Sequence, residues 1–212
     1  MRADLLIGGT LGRWALERAD PAQIGAVVTD VPELAHEAER RGLAVHTDHD
    51  YHPAARGLSV HYQRIVPERL IDAYEGLWNL HPGFLPSGRG FYPVFWALWE
   101  GTPAGATLHE LVPALDAGPI VAQIEVEVRA EDTGGSLHPR VQDAEKELFD
   151  AWWPRIVAGE PLPATPQPEG GTTHAKAEFF ALKRDGWRQL DADGLARLER
   201  ALTFPGYTGV GT

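Results

Sequence analysis

Short β-branched runs alternate with helix-like stretches through the first half of the chain, and no other feature restricts the fold as much. Ala3 to Ile7 reads as a strand, followed by a glycine-rich turn and a helix from Leu11 to Arg18. Ile24 to Thr29 is a second strand, Pro32 to Arg41 a helix with Glu and Arg on its polar face, and Leu43 to His46 a third strand. Leu58 to Tyr62 and Leu77 to Leu80 continue the series, with a helix from Pro67 to Tyr74 between them. Successive βα units of this kind imply an α/β fold with a mostly parallel, twisted sheet flanked by helices and joined by right-handed crossovers.

Beyond Pro93 the stretch VFWALWEG is helix-like and ends at Gly101. Ala106 to Glu110 and Ile120 to Val128 are β-rich, the second alternating polar and apolar residues. A long helix is expected from Leu137 to Val157, and Pro161 to Gly171 (PLPATPQPEGG) is a linker by composition. The expected organisation is one main domain over residues 1–160, a Pro/Gly-rich linker over 161–173 and a C-terminal extension over 174–212. One helix is expected in that extension, from Ala192 to Leu202.

Composition removes several classes of chemistry. With no cysteine there is neither a disulfide framework nor a thiolate nucleophile. A formal net charge of -11 argues against a general nucleic-acid binder, which needs a cationic face to displace counterions. The N-terminal MRADLLIGG is too short an apolar run for a signal peptide, and nowhere do about 18 apolar residues run together. No membrane association is expected, and the cytoplasm is the default location.

Three clusters compete for a functional role. Gly8, Gly9 and Gly12 after the first strand, with Asp30 after the second, invite a dinucleotide reading, but the spacing departs from GxGxxG; the plainer reading is a tight strand-to-helix turn. His46, His49 and His52, interleaved with Asp48 and Asp50, have the residue types of a metal site, yet lie in a polar loop with no element to hold them; no metal is expected. Asn79 and His81 are different. They lie two residues apart at the end of an apolar strand, so their side chains share a face, and Pro82 stops the strand immediately after them. In a parallel sheet, ligands bind at the carboxyl ends of strands.

The segment NLHPGFLPSGRGFYP, which supplies Asn79, His81, Pro82, Leu85, Pro86, Arg89 and Gly90, resembles the signature of the 10-formyltetrahydrofolate-dependent formyltransferases. Downstream, Ala106 to His109 and Leu115 to Ile120 resemble the family's loop ending in an aspartate before Gly, here Asp116. Upstream, HYQRIVP (His61 to Pro67) resembles the strand and turn whose main chain lines the folate pocket. The aromatic stretch GRGFYPVFWAL and the tail RALTFPGY are similar to the branch that acts on nucleotide-linked amino sugars.

This resemblance implies a Rossmann-like formyltransferase fold over residues 1–160 and a catalytic trio of Asn79, His81 and Asp116. It implies a folate pocket using Arg64 and Val66 through main chain, with an apolar wall of Leu77, Leu111 and Val112 whose alternative reading is ordinary core. Arg89 is expected either at an anionic group of the acceptor or tying down its own loop, and Phe91, Tyr92 and Tyr207 as stacking surfaces or packing aromatics. Formyl transfer to an amine needs a stabilised oxyanion, an acceptor for the amine proton and a proton for the departing folate nitrogen. Asn79 offers an amide donor, His81 titrates in a range that suits either role, and Asp116 would pair with His81 or hold a relaying water. The implied co-substrate is 10-formyltetrahydrofolate and the implied partner a small primary amine, that of a nucleotide-linked amino-deoxysugar; the tail is also a candidate for a homodimer interface. Competing readings are formylation of an amino acid or peptide intermediate, hydrolysis of the formyl donor, and a non-catalytic folate- or nucleotide-binding module.

Overall fold

The computed structural model describes residues 1–205. In chain order its elements are β1 (Ala3–Ile7), α1 (Gly9–Arg18), a 3-10 turn (Pro21–Gln23), β2 (Ile24–Val28), α2 (Pro32–Arg40), β3 (Ala44–His46), β4 (Arg56–Val60), α3 (Glu68–Ile71) and β5 (Gly76–His81). Then follow β6 (Arg89–Gly90), α4 (Pro93–Glu100), β7 (Ala104–Glu110), β8 (Ile120–Val126), α5 (Gly134–Ala158), β9 (Thr173–His174), α6 (Lys176–Arg184), a second 3-10 turn (Gly186–Gln189) and α7 (Ala192–Leu202). Among the described residues seven strands form one sheet in the order β3-β2-β1-β4-β5-β7-β8, and β6 pairs with β9 in a second. The pairs β1 with β2, β1 with β4, β2 with β3 and β4 with β5 are parallel, as the alternating pattern requires. Strand order reverses between β1 and β4, the kind of switch point beside which open α/β sheets bind ligands.

Two compact units make up the chain. The first comprises Met1–His81, Leu108–Ala122 and Lys146–Pro166. Every residue of β1 is buried, which suits its apolar residues Ala3, Leu5, Leu6 and Ile7, and Asp4 is buried among them. Helix α1 buries Leu11, Gly12, Ala15 and Leu16, and α2 buries Leu34, Ala35 and Ala38, the stripes that helical periodicity demands. A Cβ on Gly8 would sit 2.3 Å from the carbonyl oxygen of His61, and one on Gly12 3.0 Å from Cβ of Ile7. These glycines therefore permit close packing of the turn and helix on the sheet, the plainer of the two readings. Helix α3 is shorter than the expected Pro67 to Tyr74: after Ile71 the chain tightens into turns, with Ala73 N–H donating to Leu70 and Tyr74 N–H to Ile71. Tyr74 is thereby turned into the core, where its hydroxyl donates to Asp4 over 3.1 Å.

The second unit holds Pro82–Thr107, Gln123–Glu145 and the chain from Gln167 onward. Its core gathers Val94 to Leu98 of α4 with Leu137 and Val141 of α5 and Leu198, Ala201 and Leu202 of α7. Helix α5 starts a turn before the expected Leu137 because Thr133 and Ser136 exchange hydrogen bonds at its entrance (Thr133 N to Ser136 Oγ 2.9 Å, Ser136 N to Thr133 Oγ1 3.2 Å). Helix α6 is an addition to the sequence expectation. It buries no residue fully and only Phe179 and Leu182 reach the core cluster, so its apolar period is faint.

Candidate active site

Strand β5 presents Asn79 and His81 on one face; His81 is buried while Asn79 is partly open. The loop that follows β7 returns Asp116 to them. Leu111 N–H donates to the carbonyl of Leu77 on β5 (2.8 Å), and Glu110 N–H to Pro119 (2.9 Å), closing the loop at its neck. Closure is so tight that a Cβ on Gly118 would stand 1.9 Å from the Glu110 carbonyl oxygen. Asp116 itself has φ 48, a left-handed conformation that aspartate tolerates better than most residues.

The Asp116 carboxylate is the centre of the cluster. Its Oδ2 lies 3.6 Å from His81 Nδ1, and its Oδ1 lies 3.4 Å from Asn79 Nδ2. A fourth member, His109, stands on β7 with its side chain 2% exposed. Its Nε2 is 3.6 Å from Asp116 Oδ1 and 3.2 Å from Asn79 Nδ2, and its Nδ1 is 2.8 Å from the Glu110 carbonyl oxygen. The two imidazoles meet edge to face, 6.2 Å between centroids. A carboxylate flanked by two imidazoles and an amide can take up, hold and return a proton beside a neutral polar group, which is what acyl transfer to an amine demands. His109 is not among the residues expected from sequence, although a histidine at the end of an apolar strand is the same signal that singles out His81.

The other expected residues are placed as follows. Val66 and Leu77 are core, packed with Leu6, Val28, Leu70 and Tyr74, and Leu111 covers the same cluster. Arg64 is exposed and its guanidinium donates to the carbonyl of Thr47 (2.9 Å), while Val112 is partly buried. Arg89 bonds to its neighbouring loop: Nε and Nη2 donate to Gln167 Oε1 (3.0 and 2.7 Å) and Nη1 to Gly170 O (3.3 Å). Tyr92 precedes α4 with φ 62 and packs on Phe179, 4.3 Å between centroids; Phe91 lies under the Lys176 ammonium at 6.0 Å. Tyr207 lies outside the described residues.

The remaining clusters go elsewhere. Asp30 is exposed, His46 stacks on Tyr51 (4.6 Å), and His49 shares a 2.9 Å hydrogen bond with the Tyr62 hydroxyl. Burial and the guanidinium groups of Arg64 and Arg69 hold His49 below the usual histidine range. No group of three or more potential ligands is arranged to hold a metal among the described residues, and no helix there is long and apolar enough to cross a membrane.

Solved structures of the same fold include a sugar N-formyltransferase from a Shewanella species, 20% identical over 98% of this chain and 90% of that one, with a TM-score of 0.82. A Mycobacterium tuberculosis protein considered a sugar N-formyltransferase is 26% identical over 98% of this chain and 90% of its own, TM-score 0.75. The formyltransferase PseJ from Anoxybacillus kamchatkensis, solved with UDP-4,6-dideoxy-4-formamido-L-AltNAc and tetrahydrofolate, is 25% identical over 92% of this chain and 95% of its own, TM-score 0.62. The sequence profile described as formyl transferase matches residues 10–151, a span that contains all four members of the polar cluster. On that match the chain belongs to the formyl transferase family.

Proposed function

We propose that this chain moves a formyl group from 10-formyltetrahydrofolate to the primary amine of a nucleotide-linked amino-deoxysugar. The observation that carries the reading is the convergence of Asn79 and His81 on one partly buried carboxylate, Asp116, at the carboxyl end of β5. The sugar acceptor draws its support from PseJ, solved in complex with a UDP-linked formamido sugar and tetrahydrofolate.

In this reading the amine nitrogen bonds to the formyl carbon and the carbonyl electron pair moves to oxygen, where His81 donates a hydrogen bond. Asp116 takes the proton that the nitrogen loses. The bond from the formyl carbon to the folate nitrogen then breaks, and that nitrogen leaves with a proton returned from the His81–Asp116 pair. Burial favours this work, because a donor aimed at developing charge acts more strongly away from water. Main chain at Arg64 and Val66 receives the pterin, and Leu77, Leu111 and Val112 wall its pocket.

The test is incubation of the protein with 10-formyltetrahydrofolate and a panel of amino-sugar nucleotides and amino acids, read as gain of one formyl mass on the acceptor. An amino-sugar nucleotide should gain it, and His81→Ala should lower turnover about 10²–10⁴-fold. Folate turnover at an equal rate without any acceptor would instead identify a hydrolase.

A further inference from the structure

We infer that His109 is a positioning residue whose Nε2 fixes the Asn79 side-chain amide, with the NH2 edge turned inward and the carbonyl oxygen offered to the incoming amine. The inference deepens the proposed formyl transfer and rests on it for its catalytic meaning.

The Nδ1 of His109 faces the Glu110 carbonyl oxygen at 2.8 Å. A carbonyl can only accept, so Nδ1 carries the hydrogen, and in a neutral imidazole the other nitrogen is then bare. Asp116 Oδ1 is 3.6 Å from Nε2, beyond hydrogen-bond reach, so Nε2 is an acceptor and the amide atom of Asn79 that faces it at 3.2 Å is the NH2 nitrogen. Asp116 Oδ1, at 3.4 Å from the same nitrogen, asks for the same orientation. Turning the amide over would set its oxygen against two acceptors and forfeit both bonds. Asn79 Oδ1 has no hydrogen-bond partner among the described residues, and Asn79 is only partly buried. What Asn79 offers a reactant is thus an acceptor. An amine nucleophile has N–H bonds as well as a lone pair; one N–H held by Oδ1 aims the lone pair at the formyl carbon, a gain of orientation. The oxyanion is then left to His81, and the donor role that the family resemblance implied for Asn79 is already committed to His109 and Asp116.

Three full-length variants test this. His109→Gln keeps an acceptor oxygen near the position of Nε2, His109→Asn places its amide near Nδ1 instead, and His109→Phe keeps the ring's bulk with no acceptor. We expect His109→Phe and His109→Asn to lower kcat about 10–100-fold with KM for the folate donor changed less than about threefold, and His109→Gln to recover to within about fivefold of wild type. Asn79→Ala combined with His109→Phe should be no slower than Asn79→Ala alone, since both remove one unit. Independently of turnover, the Asn79 side-chain NH2 protons, followed by NMR exchange, should be protected in wild type and His109→Gln and should exchange faster in His109→Asn. Equal exchange in His109→Asn and wild type, or His109→Gln no faster in turnover than His109→Asn, overturns the inference. A wild-type protein that formylates nothing, yet keeps those protons protected through His109, overturns the formyltransferase reading and leaves the amide lock standing.

Discussion

Replacing Thr107 by Val removes one hydroxyl and should cost far more than the size of the change suggests. Thr107 is fully buried on β7. Its hydroxyl donates to Gly83 O (2.6 Å) and accepts from Leu85 N (3.2 Å) and Gln123 Nε2 (2.9 Å), holding the loop that follows His81 in the chain. Gln123 keeps its bond to Leu85 O at 2.8 Å, so its loss is partial. Gly83 O and Leu85 N are stranded in a buried loop, at about 1–3 kcal/mol each. Against this the added methyl contributes up to about 1 kcal/mol of apolar burial. The balance is a destabilisation of about 1–6 kcal/mol, or a fall in Tm of roughly 2–24 °C for a chain of this size. Thr107→Ser retains the hydroxyl and should lose only the methyl, about 1 kcal/mol. Urea unfolding followed by tryptophan fluorescence measures both, with an unchanged m-value confirming that stability alone moved. If Thr107→Val lies within about 0.5 kcal/mol of wild type, or Thr107→Ser is equally damaging, the hydroxyl is not the node described.

Asp4 accepts from Ala54 N (2.8 Å) and Tyr74 Oη in the core, and burial raises its pKa, so the fold favours its protonated form. That stability is present in acid and lost as pH rises through the raised pKa. Whatever the offset of Asp4→Asn at low pH, the variant should gain on wild type as pH rises toward neutrality; a difference flat with pH refutes the idea. Asp132 behaves oppositely: burial raises its pKa, but bonds from Arg129 N (2.7 Å), Ser136 Oγ (2.8 Å) and Arg140 outweigh it and leave a lowered value. Asp132→Ala should cost about 1–3 kcal/mol at pH 7, with the gap closing as wild type is acidified through that lowered pKa. Arg89→Ala releases Gln167 and Gly170, so limited proteolysis around residues 161–171 should accelerate about tenfold. Unchanged cleavage with a raised KM for the acceptor would instead make Arg89 a ligand-binding residue.

Much of the fold was legible because it rests on local rules. Periodicity located β1 and α7 to the residue and most other elements to within a turn, since strand alternation and helical stripes are written in consecutive residues. Helix α6 escaped because a helix that buries no residue fully leaves little apolar period to detect. Asn79 and His81 were likewise legible from one strand: residues i and i+2 share a face whatever the rest of the chain does. Their resemblance to a known signature added Asp116.

Tertiary structure alone decided what these residues do to one another. His109 lies 30 residues from Asn79 in sequence, and no local pattern says which nitrogen of an imidazole meets which end of an amide. That depends on the Glu110 carbonyl claiming Nδ1, a matter of backbone direction in a closed loop. The same holds for Arg89, whose guanidinium meets Gln167 and Gly170, 78 and 81 residues away in sequence. Residue types and spacing determine which groups can share a site, because they fix the donors, acceptors and strand faces. Distances between segments far apart in the chain determine which of those donors are spent internally and which are left for a ligand.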